Sequence, residues 1–249
     1  MDDVPSLAHV ARKSTAYVET TPAQLAWVYR AKKLAHTMTA GPGSVSKLSH
    51  VVSQLQSLLR DPREIVEVPR ILAEAGVRFL VVEPLPRTRI DGVCFWLDDQ
   101  SPVIALSIRF DRIDYFWHTL MHELGHVKNQ DGKAFVALDV DLDGVNSSDE
   151  DDRPSFEIDA DRFAVESLVP REELASFVAR VHPFYSKAKI HDFAARIGVA
   201  PGIVVGQLQY RGYMSYSNNR EMLTKVREII TQSALTDGWG RMLPSPWRG

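Results

Sequence analysis

The stretch FWHTLMHELGH, Phe116–His126, constrains this chain more than any other part of it. Apolar residues recur at Ile113, Phe116, Trp117, Leu120, Met121, Leu124 and Val127, in steps of three and four that mark an amphipathic helix. At 100° per residue they form one flank, which must be buried. His118, His122 and His126 form another flank, each about 40° round and roughly 6 Å along from the last. The fold must therefore cover one side of this helix and give three imidazoles a place on the other.

Imidazoles four residues apart, such as His122 and His126, can converge on one ion. Glu123 lies a further 100° round, so it can reach a water beside the ion without ligating it. This is the H-E-x-x-H arrangement of zinc peptidases. Gly125 strengthens the reading, because a glycine inside a helix costs about 1 kcal/mol relative to alanine. Its presence predicts close approach by another element. A zinc site that works on a substrate needs a third protein ligand and an open position. The segment FEIDADRFAVESLVP, Phe156–Pro170, offers that ligand. Glu157 and Asp161 are four apart on one helix face, which Ala164 and Leu168 continue. Glu157 can supply a carboxylate, and Asp161 can hold a ligand histidine through its other ring nitrogen. The expected cofactor is one zinc ion per chain, with manganese as the alternative in the cell.

The chain reads as four regions. Residues 1–62 are expected to be helical, with Thr21-Pro22 starting one helix that runs to about Thr39. The AGPGS break at Ala40–Ser44 precedes a second helix, Val45–Leu59, which stops before Asp61-Pro62. Residues 63–170 form the core. A short helix there carries Ile71 and Leu72 and ends at Gly76. Three β-branched or aromatic runs follow, at Val77–Leu85, Gly92–Asp98 and Pro102–Ile108. They predict a small, largely antiparallel three-stranded sheet with a hairpin at Asp98–Ser101. Helices are expected from Asp111 onward, from Ser155 to Leu168, and from Pro170. Residues 171–231 read as a further helical, helix-turn-helix-like region. Residues 232–249, rich in Gly and Pro, read as an irregular tail in which Trp239 and Trp247 can dock on the body. The fold class is α+β, mostly helical.

Composition excludes several other classes. The chain has 249 residues, 45% hydrophobic and 24% charged, with a formal charge of −3. Such a balance gives no general reason to expect nucleic acid. Cys94 is the single cysteine, so neither a disulfide framework nor a thiolate zinc site is available. No apolar run is long enough to span a bilayer. Asp2 and Asp3 follow Met1 at once, the wrong charge for a signal peptide. The expected compartment is the cytoplasm.

The stretches FWHTLMHELGH and EIDADRFAVESLVP, about thirty residues apart, resemble the ImmA/IrrE family of metallopeptidases. The run RIDGVCFWLDDQSPVIALSIRFDR resembles the family's sheet leading into its active-site helix, and Ile190–Gly212 resembles the helical region after the core. The likeness spans roughly residues 20–230. It is nearest to the branch fused behind a helix-turn-helix domain in antitoxin-type regulators. No such domain is seen in residues 1–25, so the expectation is the peptidase-like part alone. By position, the resemblance implies His122, His126 and Glu157 as ligands and Glu123 as general base. It implies a reduced zincin-like core whose sheet edge can pair with an extended substrate, with Ala105–Arg109 as the candidate edge. The implied substrates are transcriptional repressors, in stress-response or toxin–antitoxin settings. His118 stands where the family carries an aromatic residue. It either lines the cleft or is a polar core residue, and either Tyr115 or His118 can stabilise an oxyanion.

Two further patterns are set aside. DVDLDGVNSSDE, Asp139–Glu150, matches a calcium loop at Asp139, Asp141, Asp143, Gly144 and Glu150. Asn146 and Pro154 argue against it, and a solvated acidic loop at the cleft mouth is expected instead. Asp192–Gln209 has helix-turn-helix spacing, but Gly202–Gln209 carries no Lys or Arg for phosphate contacts. Direct nucleic-acid binding is therefore not expected. The functional expectation is a zinc-dependent endopeptidase acting on a repressor-like protein. Its rival is an antitoxin-like regulatory module that binds a partner protein, or DNA, without cleaving a peptide bond.

Overall fold

The computed structural model describes residues 20–133, 136–140 and 154–237. The first helix, α1 (Pro22–Ala35), starts where local chemistry directs. Thr21 accepts a hydrogen bond from the Gln24 amide, and the Gln24 side chain accepts one from the Thr21 amide, a reciprocal cap. Helix α2 (Val45–Ser57) follows the glycine-rich break. After two short 3₁₀ segments, α3 (Val68–Glu74) leads into the sheet.

The strands are β1 (Arg78–Val81), β2 (Ile90–Trp96), β3 (Pro102–Leu106), β4 (Ala137–Val140) and β5 (Leu235–Thr236). Their order is β4-β2-β3-β1-β5. The expected three-stranded, largely antiparallel sheet is thus, among the described residues, a mixed one of five strands. β2 pairs antiparallel with β3 and β4, whereas β1 pairs parallel with both β3 and β5. The β2–β3 hairpin forms at the expected turn, where the Leu97 amide donates to Ser101 O at 3.0 Å. Asp98 ties that turn by accepting from the Gln100 amide and the Ser101 hydroxyl.

Side-chain alternation explains why strand direction is hidden in the sequence. Phe79, Val81, Cys94, Ile104 and Leu106 enter one core, while Leu80, Val82, Val93, Phe95, Val103 and Ala105 enter another. Both faces are covered, so the strands are apolar throughout, a pattern common to parallel and antiparallel strands. β3 is also interior, with β2 on one side and β1 on the other. Ala105–Arg109 therefore offers no free edge to a substrate. Part of the expected irregular tail is ordered as β5, while Trp239 and Trp247 lie outside the described residues.

One face of the sheet carries α2, α3 and the long helix α4 (Ile113–Asn129), with α5 (Ser155–Leu168) and α6 (Arg171–Val181) packed beyond it. α7 (Lys187–Ile197) and α8 (Pro201–Tyr210) make the helix-turn-helix-like pair. α8 is buried from Gly202 to Gln209 and packs on α4. The last helix, α9 (Arg227–Ile230), precedes β5. The other sheet face is covered by α1 through Trp27, Val28, Ala31 and Ala35. Among the described residues no helix is long and apolar enough to cross a membrane.

Trp27 joins α1 to the sheet by packing and by donating from its indole N–H to Val82 O and Glu83 O. Trp27→Ala should cost about 3–5 kcal/mol of folding stability, measurable by urea denaturation. A loss below about 1 kcal/mol would mean that α1 is not part of the core.

Candidate metal centre

α4 buries its apolar flank, and its polar flank meets α5. The contact is set by small residues. A Cβ built on Gly125 would lie 3.1 Å from Ala160 Cα and 3.4 Å from Ala160 Cβ. Gly125 therefore lets the backbones approach closely, as its position in the sequence predicts. Glu157 stands one turn before Ala160 on α5, and Asp161 directly follows it. The approach thus carries two carboxylates to the histidines.

His122, His126, Asp139 and Glu157 each direct a donor atom to one place, all within 4.8 Å of one another. The two histidine Nε2 atoms are 3.1 Å apart. Glu157 Oε2 lies 3.2 Å from His122 Nε2 and 3.7 Å from His126 Nε2. Asp139 Oδ1 is 3.4 Å from His122 Nε2, and its Oδ2 is 3.9 Å from His126 Nε2. All four residues are buried. The outer ring nitrogens are also occupied: His122 Nδ1 faces Asp161 Oδ1 at 2.8 Å and His126 Nδ1 faces Asp131 Oδ2 at 3.1 Å.

These contacts test whether a cation fits. If each Nδ1–H donates to its carboxylate, each neutral ring presents a bare lone pair at Nε2. Four lone-pair atoms then face one another with no proton between them. Donors about 2.0–2.1 Å from a tetrahedral ion sit about 3.3 Å apart, close to the separations just given. Three buried oxygens, both of Glu123 and Oδ2 of Asp139, have no hydrogen-bond donor among the described residues. The residues fit a divalent ion of zinc's size and preference for nitrogen and oxygen donors.

The electrostatics agree. Burial opposes charge on His122, but Asp139, Asp161 and Glu157 outweigh it and hold its pKa well above the usual imidazole range. Burial likewise opposes charge on His126, yet Asp131 and Glu157 raise it to about 9. Burial would raise the Glu157 carboxyl, but the two histidines bring it far below the usual range. Without an ion, the cluster demands positive charge on its imidazoles. Glu123 moves the other way: burial first, then the Asp139 carboxylate, push it well above the carboxylate range.

Glu123 is not one of the four converging donors. Its carboxylate lies against β2, where a Cβ on Gly92 would collide with Oε1. Tyr115 and His118 are outside the cluster as well. Both line a cavity beside it with Arg112, Leu168, Ile203 and Tyr210. The His118 ring is 6.4 Å from that of His122 and 5.8 Å from that of Tyr210, centroid to centroid.

A family model described as the IrrE N-terminal-like domain of the M78 peptidases matches residues 74–208, more than half of the chain. The chain belongs to this family. The span of the IrrE N-terminal-like domain runs from the end of α3 to α8, so it takes in the sheet from β1 to β4 and all four converging residues. No curated protein matches the chain.

Sequence reasoning missed two residues of this IrrE-like centre. Asp139 is not part of a solvated acidic loop but a buried member of β4, 3% exposed. The rest of the calcium-like pattern, Asp141, Asp143, Gly144 and Glu150, lies outside the described residues. The short, largely apolar run VALDV, Val136–Val140, was the available signal for a strand. Asp131 reaches His126 because α4 ends in a left-handed Gln130, with φ 61°. The Trp96 indole then donates to Asp131 O at 2.9 Å and anchors the turn on β2. Little in the sequence marks that return.

Asp161→Ala and Asp131→Ala should each weaken zinc binding by about 10–100-fold, since each removes the partner that orients an imidazole. Competition titration against a chromophoric chelator reads this, and circular dichroism should show an intact fold. Affinity equal to wild type in both variants would contradict the role. Ala160→Leu should lower stability by about 1–3 kcal/mol through overpacking against Gly125, and weaken zinc binding in the same titration.

Proposed function

We propose that the chain is a zinc-dependent endopeptidase, and that its substrate is a regulatory protein such as a transcriptional repressor. The observation that carries the reading is the division of labour on one helix turn. His122 and His126 aim at the common centre with Glu157, while Glu123 lies beside it with both oxygens buried and, among the described residues, no hydrogen-bond donor. A buried carboxylate in that state costs free energy, which points to a functional role for it. Membership of a peptidase family supports the same reading.

A divalent ion held by His122, His126 and Glu157 would acidify a water and polarise the scissile carbonyl. Glu123 then accepts the proton of the attacking water and delivers it to the leaving amine. Asp161 and Asp131 keep the two imidazoles in the tautomer with Nε2 bare. Tyr115 and His118 line the adjoining cavity, where either can meet the oxyanion or a substrate side chain.

A second reading has an observation of its own. Asp139 brings a fourth donor to the cluster, and zinc sites closed by four protein ligands are usually structural. On that reading the protein is an antitoxin-like module that binds a partner without cleaving it. Glu123→Gln separates the two, because it keeps size and hydrogen bonding but cannot act as a base. The variant should retain zinc and its melting temperature, and cleavage of a co-encoded repressor should fall at least about 100-fold. Full regulatory activity in a zinc-replete Glu123→Gln protein would replace the peptidase reading with the binding one.

A further inference from the structure

The four converging donors are not held alike. His122 and His126 lie on α4 and Glu157 lies on α5, and these helices are locked together at Gly125 and Ala160. Asp139 comes from β4, four residues that form the outermost strand among the described residues and pair with β2. An outer strand this short is among the elements that open most readily.

Asp139 is aimed rather than incidental. The β2–β4 register breaks between Ile90 and Gly92, where Asp139 pairs with Gly92 and Val140 with Ile90. The extra residue, Asp91, is buried and held by the Arg109 guanidinium through both its oxygens. Such bulges re-aim side chains beside active sites. Gly92 is also the residue whose α-carbon abuts Glu123. Asp139 therefore enters the cluster from the flank on which Glu123 stands, the flank on which Glu123 would have to meet a water. It brings one oxygen within 3.4 Å of His122 Nε2 and the other within 3.9 Å of His126 Nε2.

We propose that Asp139 is a fourth, removable ligand that closes the centre in the resting protein, and that outer strand β4 must draw it away before water or substrate can enter. The inference rests on the metal-centre reading above. It makes the described state a latent one and gives β4 a regulatory role, because a partner or substrate that displaces the strand opens the site. It also reconciles a four-donor cluster, typical of structural zinc, with a carboxylate placed for catalysis.

The test uses the full chain loaded with Co²⁺ or Zn²⁺ and does not depend on cleavage. Acetohydroxamate, which needs a free position on the ion, is titrated into the Co²⁺ protein and followed by visible absorption. Asp139→Ala and Asp139→Asn should bind it at least about tenfold more tightly than wild type, and their cobalt spectra before addition should differ from that of wild type. Zinc competition should show affinity at least about tenfold lower, the scale on which even outer partners act. Asp139→Asn keeps the size of the side chain, so it carries the test if the alanine variant does not fold. Equal acetohydroxamate affinity in wild type and Asp139→Asn, with equal zinc affinity, would overturn the proposal and leave the peptidase reading standing. Failure of the wild-type protein to take up either metal would overturn both.

Discussion

The close approach of α4 and α5 at Gly125 and Ala160 is the contact on which the centre depends. Histidines four apart on one helix can face a common point, but they do not make a site alone. The carboxylates that complete it lie about thirty residues later, on a helix that reaches them only because no side chain stands between the two backbones. A larger residue at either position would push Glu157 and Asp161 outward together, since they share one rigid helix. The donor and the residue that orients its neighbouring imidazole are thus positioned by a single packing contact.

Burial then turns proximity into chemistry. His122, Glu123 and His126 have no solvent exposure, so every charge in the cluster must be answered from within it. Asp161 and Asp131 fix the outer edges of the two rings, and the inner edges are left bare toward one another. The scaffold behind them is stiff. The apolar flank of α4 fills the core between the sheet and α8, and α8 itself is buried along most of its length. The segment with helix-turn-helix spacing is accordingly part of the wall that supports α4.

The sheet shapes the remaining side of the centre. β2 carries Gly92, which gives Glu123 room, and the bulge beside it turns Asp139 inward. Trp96, at the far end of β2, holds the turn that returns Asp131 to His126. A single strand therefore governs three carboxylates drawn from three other parts of the chain. Its neighbour β3 is interior, so among the described strands β4 is the outermost on the side of the centre.

Much of this centre was legible in the sequence. The amphipathic character of α4, the convergence of His122 and His126, the position of Glu123 beside them and the shared face of Glu157 and Asp161 all follow from the 3.6-residue period, which sets the relative direction of side chains four residues apart. Gly125 signalled a close neighbour because a glycine there is otherwise costly. What only the tertiary structure decided was strand direction, strand order and the arrival of Asp139 and Asp131. Strands covered on both faces alternate between two apolar cores, and that alternation is the same whichever way a neighbour runs. Asp139 owes its role to a bulge in a partner strand more than forty residues earlier, and Asp131 to a left-handed turn pinned by Trp96. Local periodicity governs donors that share a helix, whereas donors delivered by remote backbone pairing become visible only when the chain is folded.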